Sequence, residues 1–249
     1  MVFKIAITQP AVFIISYLCA KLLYMLKIGH RGTKGHIAEN TLEFFAKAIV
    51  LGANGIELDV HVCATCEIVV MHDFTVNRTT NGSGNVSEFT LHQLKELTIE
   101  GKYLVPTLKE VLNTISNKVF INIELKGSGT AQPVAAILTD FINNKGFITE
   151  NLIVSSFNYN ELQEFKNCNT GIPIGVLTEN SIEEAAAWAE KLSAKAIHPY
   201  FELLTKENIF QMQQAGYRVM AWTVNEHEDI AKMKLYRVDG IISDYPERL

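Results

Sequence analysis

Gly55-Ile56-Glu57-Leu58-Asp59-Val60 alternates apolar and acidic residues with the period of a β-strand. Glu57 and Asp59 therefore share one face, and Ile56, Leu58 and Val60 share the other. The apolar face suits a covering layer of helices. The acidic face is the unusual one, because two carboxylates held together out of water repel unless a proton or a cation compensates.

Outward from this strand the chain repeats one unit. Short β-branched or apolar runs alternate with longer segments of helical period, the signature of βα units and a parallel sheet. The strands read as Lys27 to Gly29, Gly55 to His61, Val119 to Leu125, Leu152 to Ser155, Ile172 to Leu177, Ala196 to His198, Arg218 to Thr223 and Gly240 to Ser243. Helices are expected near Thr41 to Leu51, Thr107 to Ser116, Ala131 to Lys145, Asn158 to Lys166, Ser181 to Leu192, Thr205 to Ala215 and Asn225 to Lys234. Ser181 followed by Glu184, and more weakly Thr205 followed by Asn208, are helix-start signals. Eight strands with seven helices fit an α/β fold of the closed (β/α)8 (TIM) barrel type, and a chain of 249 residues is long enough for one such domain. The eighth helix is missing. The long connection from Asp73 to Thr107 is expected to be a small insertion after the second strand, about residues 74–106, beside the site.

Around the acidic strand lie further polar groups: His30-Arg31, Glu39-Asn40 and His72-Asp73. An oxygen-only pair such as Glu57 and Asp59 suits Ca2+ or Mg2+ better than zinc, and Glu124 near the end of the next strand offers a third ligand. His30 and His72 follow strands and reach the same end, where two imidazoles can divide the work of general base and general acid. Gly29 and Gly32 are expected to allow close backbone approach to a ligand. Arg31 can grip an oxyanion, and Lys126 can neutralise phosphate charge. The set suggests metal-assisted chemistry on a phosphate ester, with Asp73 placing His72 or the following loop.

The net charge of -5 argues against a sequence-independent grip on nucleic acid, so a small-molecule substrate is expected. The four cysteines have unrelated spacings and make no disulfide framework, which is compatible with a reducing compartment. Cys63-x-x-Cys66 is a weak zinc or redox signal without a second pair. The apolar stretch from Ile5 to Ala20, continuing to Leu26, is short for a membrane span. It reads as a helix packed over the gap left by the eighth helix, as an upstream extension of a domain (residues 26–249) that starts at Met25, or as a membrane anchor or export signal. A cytoplasmic location is the first expectation; membrane association through residues 5–26 and export are the alternatives. The oligomeric state is open.

The stretches GHRG, ENT, GIELDV, VVMHDFTVNRTTNGSG, IELKG, AWTVN and VDGIISDYP, in order from Gly29 to Pro246, resemble the glycerophosphodiester phosphodiesterases. The resemblance implies hydrolysis of glycerophosphodiesters to sn-glycerol 3-phosphate and an alcohol. It also implies His30 and His72 as the acid/base pair, Glu57, Asp59 and Glu124 as ligands of one divalent cation, and Arg31 and Lys126 as phosphate contacts. Glu39 is expected to orient a catalytic group, and Trp222 to line a glycerol pocket. Ala64-Thr65-Cys66-Glu67 stands where relatives have a glycine turn, Asn77 where they have aspartate, and Ala38 where they have proline. The alternatives are a phospholipase-type phosphodiesterase acting on intact lipids and an inactive barrel that binds phosphate esters. The attacking oxygen is either water or the neighbouring substrate hydroxyl.

Overall fold

The computed structural model describes residues 25–115, 117 and 119–249. Strand β1 (Leu26–Gly29) leads through helix α1 (Leu42–Val50) into β2 (Gly55–Val62), which turns back as β3 (Ile68–Val70). Helix α2 (Leu91–Glu96), the short strands β4 (Thr98–Ile99) and β5 (Tyr103–Leu104), and α3 (Leu108–Thr114) follow. The chain then alternates strands and helices: β6 (Phe120–Leu125), α4 (Ala131–Lys145), β7 (Leu152–Ser156), α5 (Tyr159–Asn167), β8 (Ile174–Thr178) and α6 (Ile182–Leu192). It ends with β9 (Ala196–Pro199), α7 (Lys206–Gln214), β10 (Arg218–Ala221), α8 (His227–Tyr236) and β11 (Gly240–Ser243).

Among the described residues, the parallel strands β1, β2 and β6 to β11 close into an eight-strand barrel, because β11 pairs back onto β1 and β1 onto β2. The outward side chains Ile56, Leu58 and Val60 join Ile121, Ile123 and Leu125 under the helices. Each such buried side chain contributes roughly 1.5–3 kcal/mol before entropy is counted. A separate plug of Ile28, Phe120, Ile153, Ala196, Met220 and Ile242 fills part of the barrel's interior. At the strands' C-terminal ends the interior becomes polar.

Caps explain several helix starts. Thr107 and Thr205 each accept a backbone N–H three residues on, from Glu110 and Asn208, and the side chains of those residues reach back to the cap N–H. Asn208 thus supplies a complete box from what looked like the weaker signal. Ser181 Oγ accepts the Glu184 N–H but donates to Glu183 instead. The expected strand at Ile172 begins two residues later, at Ile174, since Pro173 has no N–H for a ladder. After β11 the chain makes a short 3-10 turn, Pro246–Arg248, and Leu249 tucks into the core. The expectation that residues 5–20 cover the barrel lies outside the described residues, as does Cys19. No helix of the described residues is long and apolar enough to cross a membrane.

The segment after β3 is more than a solvated loop. Val76, Val86, Leu94, Ile99 and Val105 are buried with Phe44 and Met71 of the barrel in a small second core. The β2–β3 turn is made without glycine: the Cys66 N–H donates to the Cys63 carbonyl at 2.9 Å, and Cys66 takes φ +69°. A left-handed non-glycine residue costs about 1–2 kcal/mol, and the entropy lost by adding a glycine is roughly half of that. Cys66→Gly is therefore expected to stabilise the fold by about 0.5–1 kcal/mol, raising Tm by roughly 1–4 °C in a chain of this size. Differential scanning calorimetry under reducing conditions reads this, and a lowered Tm refutes it. Cys63 is buried and Cys66 is exposed, both are free thiols, and they form no part of a metal-ligating group among the described residues.

Candidate active site

The register of β2 against β6 sets Asp59 directly beside Glu124 and Glu57 beside Asn122. Both acidic positions of β2 face inward, as the alternation requires, and all three carboxylates are buried. Their ligand atoms lie within 4.8 Å of one another. Burial and the neighbouring Asp59 and Glu124 push the Glu57 carboxyl well above its usual range. Burial, then Asp59, pushes Glu124 up to about 7. Lys126 Nζ lies 2.9 Å from Glu124 Oε1 and 4.0 Å from Asp59 Oδ1. The Glu124 oxygen still lacks a well-directed hydrogen bond. One ammonium therefore does not satisfy the trio. Oxygen donors clustered in this way, with a buried oxygen left over, fit a hard divalent cation.

Two histidines flank the trio, each with its own carboxylate. His30, just past β1, sits with Nδ1 2.6 Å from Asp244 Oδ1. His72, just past β3, sits with Nδ1 2.7 Å from Asp73 Oδ1. An ionised carboxylate can only accept, so Nδ1–H donates in both pairs and Nε2 is left for a ligand. Burial lowers both imidazoles below their ordinary value, more strongly than the aspartates raise them. Both are thus neutral and able to take a proton near pH 7.

Arg31 is wound into a left-handed conformation (φ +49°), which aims its own N–H at Glu57 Oε2, 2.9 Å away. Its guanidinium donates to Glu39 Oε1 at 2.9 Å and lies 3.4 Å from Asp59 Oδ2. Glu39 touches arginines rather than a histidine: burial works against its charge, but Arg78 and Arg31 outweigh it and hold the carboxyl at about 2. Asn40 Nδ2 donates to Asp59 Oδ2 at 2.9 Å. Gly29 and Gly32 do not open the site to a ligand. A side chain at Gly29 would strike the Gly32 carbonyl, and one at Gly32 the backbone of Phe44, so both serve the tight turn that carries His30 and Arg31.

His30, Arg31, Glu57, His72, Glu124 and Lys126 border a cleft of about 150 Å3 that is also lined by Phe157, Leu177 and Trp222. Trp222 Nε1–H donates to the His198 carbonyl at 2.7 Å, and its ring meets Phe157 edge-on at 5.5 Å. A larger hollow, about 380 Å3, lies at the other end of the barrel between Lys166, Ser193 and Lys195. It has no carboxylate or imidazole to set beside its lysines, so the smaller cleft is the candidate site.

The profile described as "Glycerophosphoryl diester phosphodiesterase family" matches residues 30–248. The chain belongs to this family. A glycerophosphodiester phosphodiesterase of Caldanaerobacter subterraneus subsp. tengcongensis is 37% identical over 90% of this chain and 96% of its own length. A solved glycerophosphodiester phosphodiesterase from Thermotoga maritima is 33% identical, with TM-score 0.75 over 90% of this chain and 96% of its own. A phosphodiesterase from Oleispira antarctica, solved with the product sn-glycerol-3-phosphate, is 28% identical, with TM-score 0.80 over 89% of this chain and 93% of its own.

Within this family fold, three side chains of the site escaped the sequence reading. Asp244 stands one residue past β11, and Asn225 holds it: the Asn225 amide donates to Asp244 Oδ2, and the Asp244 N–H donates to Asn225 Oδ1, both at 2.9 Å. A carboxylate immediately after a barrel strand was the available signal. His61 continues the inward alternation of Glu57 and Asp59, and its Nε2–H donates to the His72 carbonyl at 3.2 Å. Arg78, in the segment after β3, meets both Asp73 and Glu39, and no local pattern announces that.

Proposed function

We propose that the chain hydrolyses glycerophosphodiesters to sn-glycerol 3-phosphate and an alcohol, within a catalytic domain of residues 26–249 whose small insertion spans about 74–106. The observation that carries this reading is the pairing of a buried carboxylate trio with two carboxylate-held histidines in one cleft. The family and the names of the relatives supply the substrate class.

Glu57, Asp59 and Glu124 are the residues that would hold a divalent cation, Ca2+ or Mg2+. When bound, such an ion supplies Lewis-acid polarisation of a phosphoryl oxygen and offsets its charge. Arg31 and Lys126 border the same cleft and offset the remaining phosphate charge. His30 and His72 present Nε2 to the cleft: one takes a proton there from the attacking oxygen, and the other, acting in its protonated form, gives its Nε2 proton to the departing alcohol. The wall of Phe157, Leu177 and Trp222 packs against the glycerol carbons. A product-resolved assay on glycerophosphocholine, glycerophosphoethanolamine and intact phosphatidylcholine, with Ca2+ and Mg2+ supplied separately after chelation, tests this. The expected result is sn-glycerol 3-phosphate from the first two only; release of phosphocholine, or turnover of the intact lipid alone, refutes it.

The raised Glu124 carboxyl gives a second test. Its proton, like that of Glu57, must leave before a cation can bind, so cation affinity is expected to rise with pH through the neutral range, by up to about tenfold per pH unit for each proton released. Titration calorimetry in buffers of different ionisation enthalpy reads both the affinity and the released proton. An affinity that is flat from pH 5.5 to 7.5 would sink the assignment.

A further inference from the structure

We propose that Arg78 is a positioning residue that locks the His72–Asp73 pair to the Glu39–Arg31 pair, so that the inserted segment sets the geometry of the active site. The inference rests on His72 being a proton carrier, as read above.

The contacts are those of a fork shared between two carboxylates. Nε and Nη2 of Arg78 donate to Oδ2 and Oδ1 of Asp73 at 2.7 and 2.9 Å. Nη1 and Nη2 donate to Oε2 and Oε1 of Glu39 at 3.0 and 2.6 Å. Asp73 Oδ1 also accepts from His72 Nδ1, and Glu39 Oε1 also accepts from Arg31. One guanidinium thus joins two acid-bearing arms that are 34 residues or more apart in sequence, as the positions of Asp73 and Glu39 show. An isolated ion pair on a side chain as exposed as Arg78 (48%) contributes little. Two bidentate pairs in one network are different, because the planar fork fixes direction as well as distance.

The loop that presents Arg78 is itself held on both sides. Val76 N–H donates to the Gly84 carbonyl at 3.0 Å, and Gly84 N–H to Asn77 Oδ1 at 2.9 Å. The Thr80 N–H and hydroxyl both donate to the Val76 carbonyl, at 3.1 and 2.7 Å. Asn81 exchanges hydrogen bonds with Thr98, at 3.2 and 2.9 Å. Asn77 therefore braces the turn next to Arg78. The histidine arm needs such a brace. The His72 side chain is 28% exposed, and Asp73 is the side chain that holds its ring, whereas Asp244 beside His30 is held by the Asn225 amide. Without Arg78, the Asp73 carboxylate loses its fixed orientation, and His72 loses the partner that sets its ring and tautomer.

The test uses the full chain with cation present. Arg78→Ala is expected to lower kcat on glycerophosphocholine by about 10–100-fold, the range seen when an outer partner of a site group is removed. KM is expected to move by less than about threefold, and Tm by only a few degrees. Tens of millimolar guanidinium, well below denaturing levels, restores kcat of Arg78→Ala severalfold and leaves the parent unchanged. Arg78→Lys recovers little, since one ammonium cannot meet two carboxylates in this geometry. The double variant Asp73→Asn/Arg78→Ala costs no more than the worse single one. A purely structural role gives additive losses without guanidinium rescue, and that result overturns the inference. So does Arg78→Ala activity within about threefold of the parent while His72→Ala is inactive. If His72→Ala is as active as the parent, the reading beneath the inference fails as well.

Discussion

His30→Ala is expected to lower kcat on glycerophosphocholine by about 10²–10⁴-fold, with KM changed by less than about threefold. The effect is large because the imidazole has one free nitrogen and one task. Nδ1–H is committed to Asp244 at 2.6 Å, so Nε2 is the atom presented to the cleft. With His30 as the proton acceptor, burial, which places the ring below its ordinary pKa, puts the acid limb of kcat/KM below pH 6.5. Asp244→Asn separates orientation from charge. The aspartate raises the His30 pKa against the stronger effect of burial, so removing its charge lowers that pKa further. The acid limb should therefore move to lower pH while the plateau falls by more than about tenfold, because the amide no longer enforces one tautomer. A limb that moves to higher pH, or a His30→Ala enzyme with most of its activity, contradicts the assignment.

Glu57→Gln is expected to abolish cation-dependent turnover while making the cation-free protein more stable above pH 7. Removing an outer partner of a metal ligand already costs 10–100-fold in affinity, so removing a ligand should cost more than about 100-fold. The stability effect follows from the sign of the shift. Burial first, and then Asp59 and Glu124, raise the Glu57 carboxyl in the folded state. Such a group contributes stability that is present below its unfolded pKa, near 4.3, and is lost as pH rises through the folded value. Glutamine keeps an acceptor for the Arg31 N–H but has no charge to lose. In chelator at pH 8 the variant should melt at least about 2 °C above the parent, the shift that roughly 1 kcal/mol produces in a chain of this size. In saturating Ca2+ or Mg2+ the order should reverse, because only the parent gains binding energy. Equal melting temperatures in both conditions would falsify the idea that Glu57 belongs to an electrostatically strained cation site. The pattern is the familiar one in which a functional site gives up local stability.

What could be read in the sequence follows physical locality. Glu57, Asp59 and Glu124 were legible because a strand has period two and an acidic inner face has few uses. His30 was legible because it follows a barrel strand; His72 follows β3, which turns back antiparallel on β2 and brings the histidine to the same cleft from the opposite direction. The helix starts at Thr107, Ser181 and Thr205 involve residues three apart, and such patterns survive in one dimension. Asp244 and Arg78 were not legible as site residues, because their meaning lies in partners 214 and 39 residues away. The two-residue strands β4 and β5 carry too few side chains for an alternation to register. Gly29 and Gly32 misled for a related reason. Glycine marks close approach, but sequence does not say whether ligand or backbone does the approaching.

The hydrogen bond between His30 and Asp244 crosses the seam where the last strand of the barrel meets the first. An N-terminal fragment that has folded most of the ring still lacks the group that orients His30, however native its Glu57, Asp59 and Glu124. Turnover during refolding therefore reports the closing of the ring rather than its collapse, and it should lag any signal from secondary structure. Joining Leu249 to Met25 and cutting the ring elsewhere would bring Asp244 and His30 close in sequence, and that lag should then shorten.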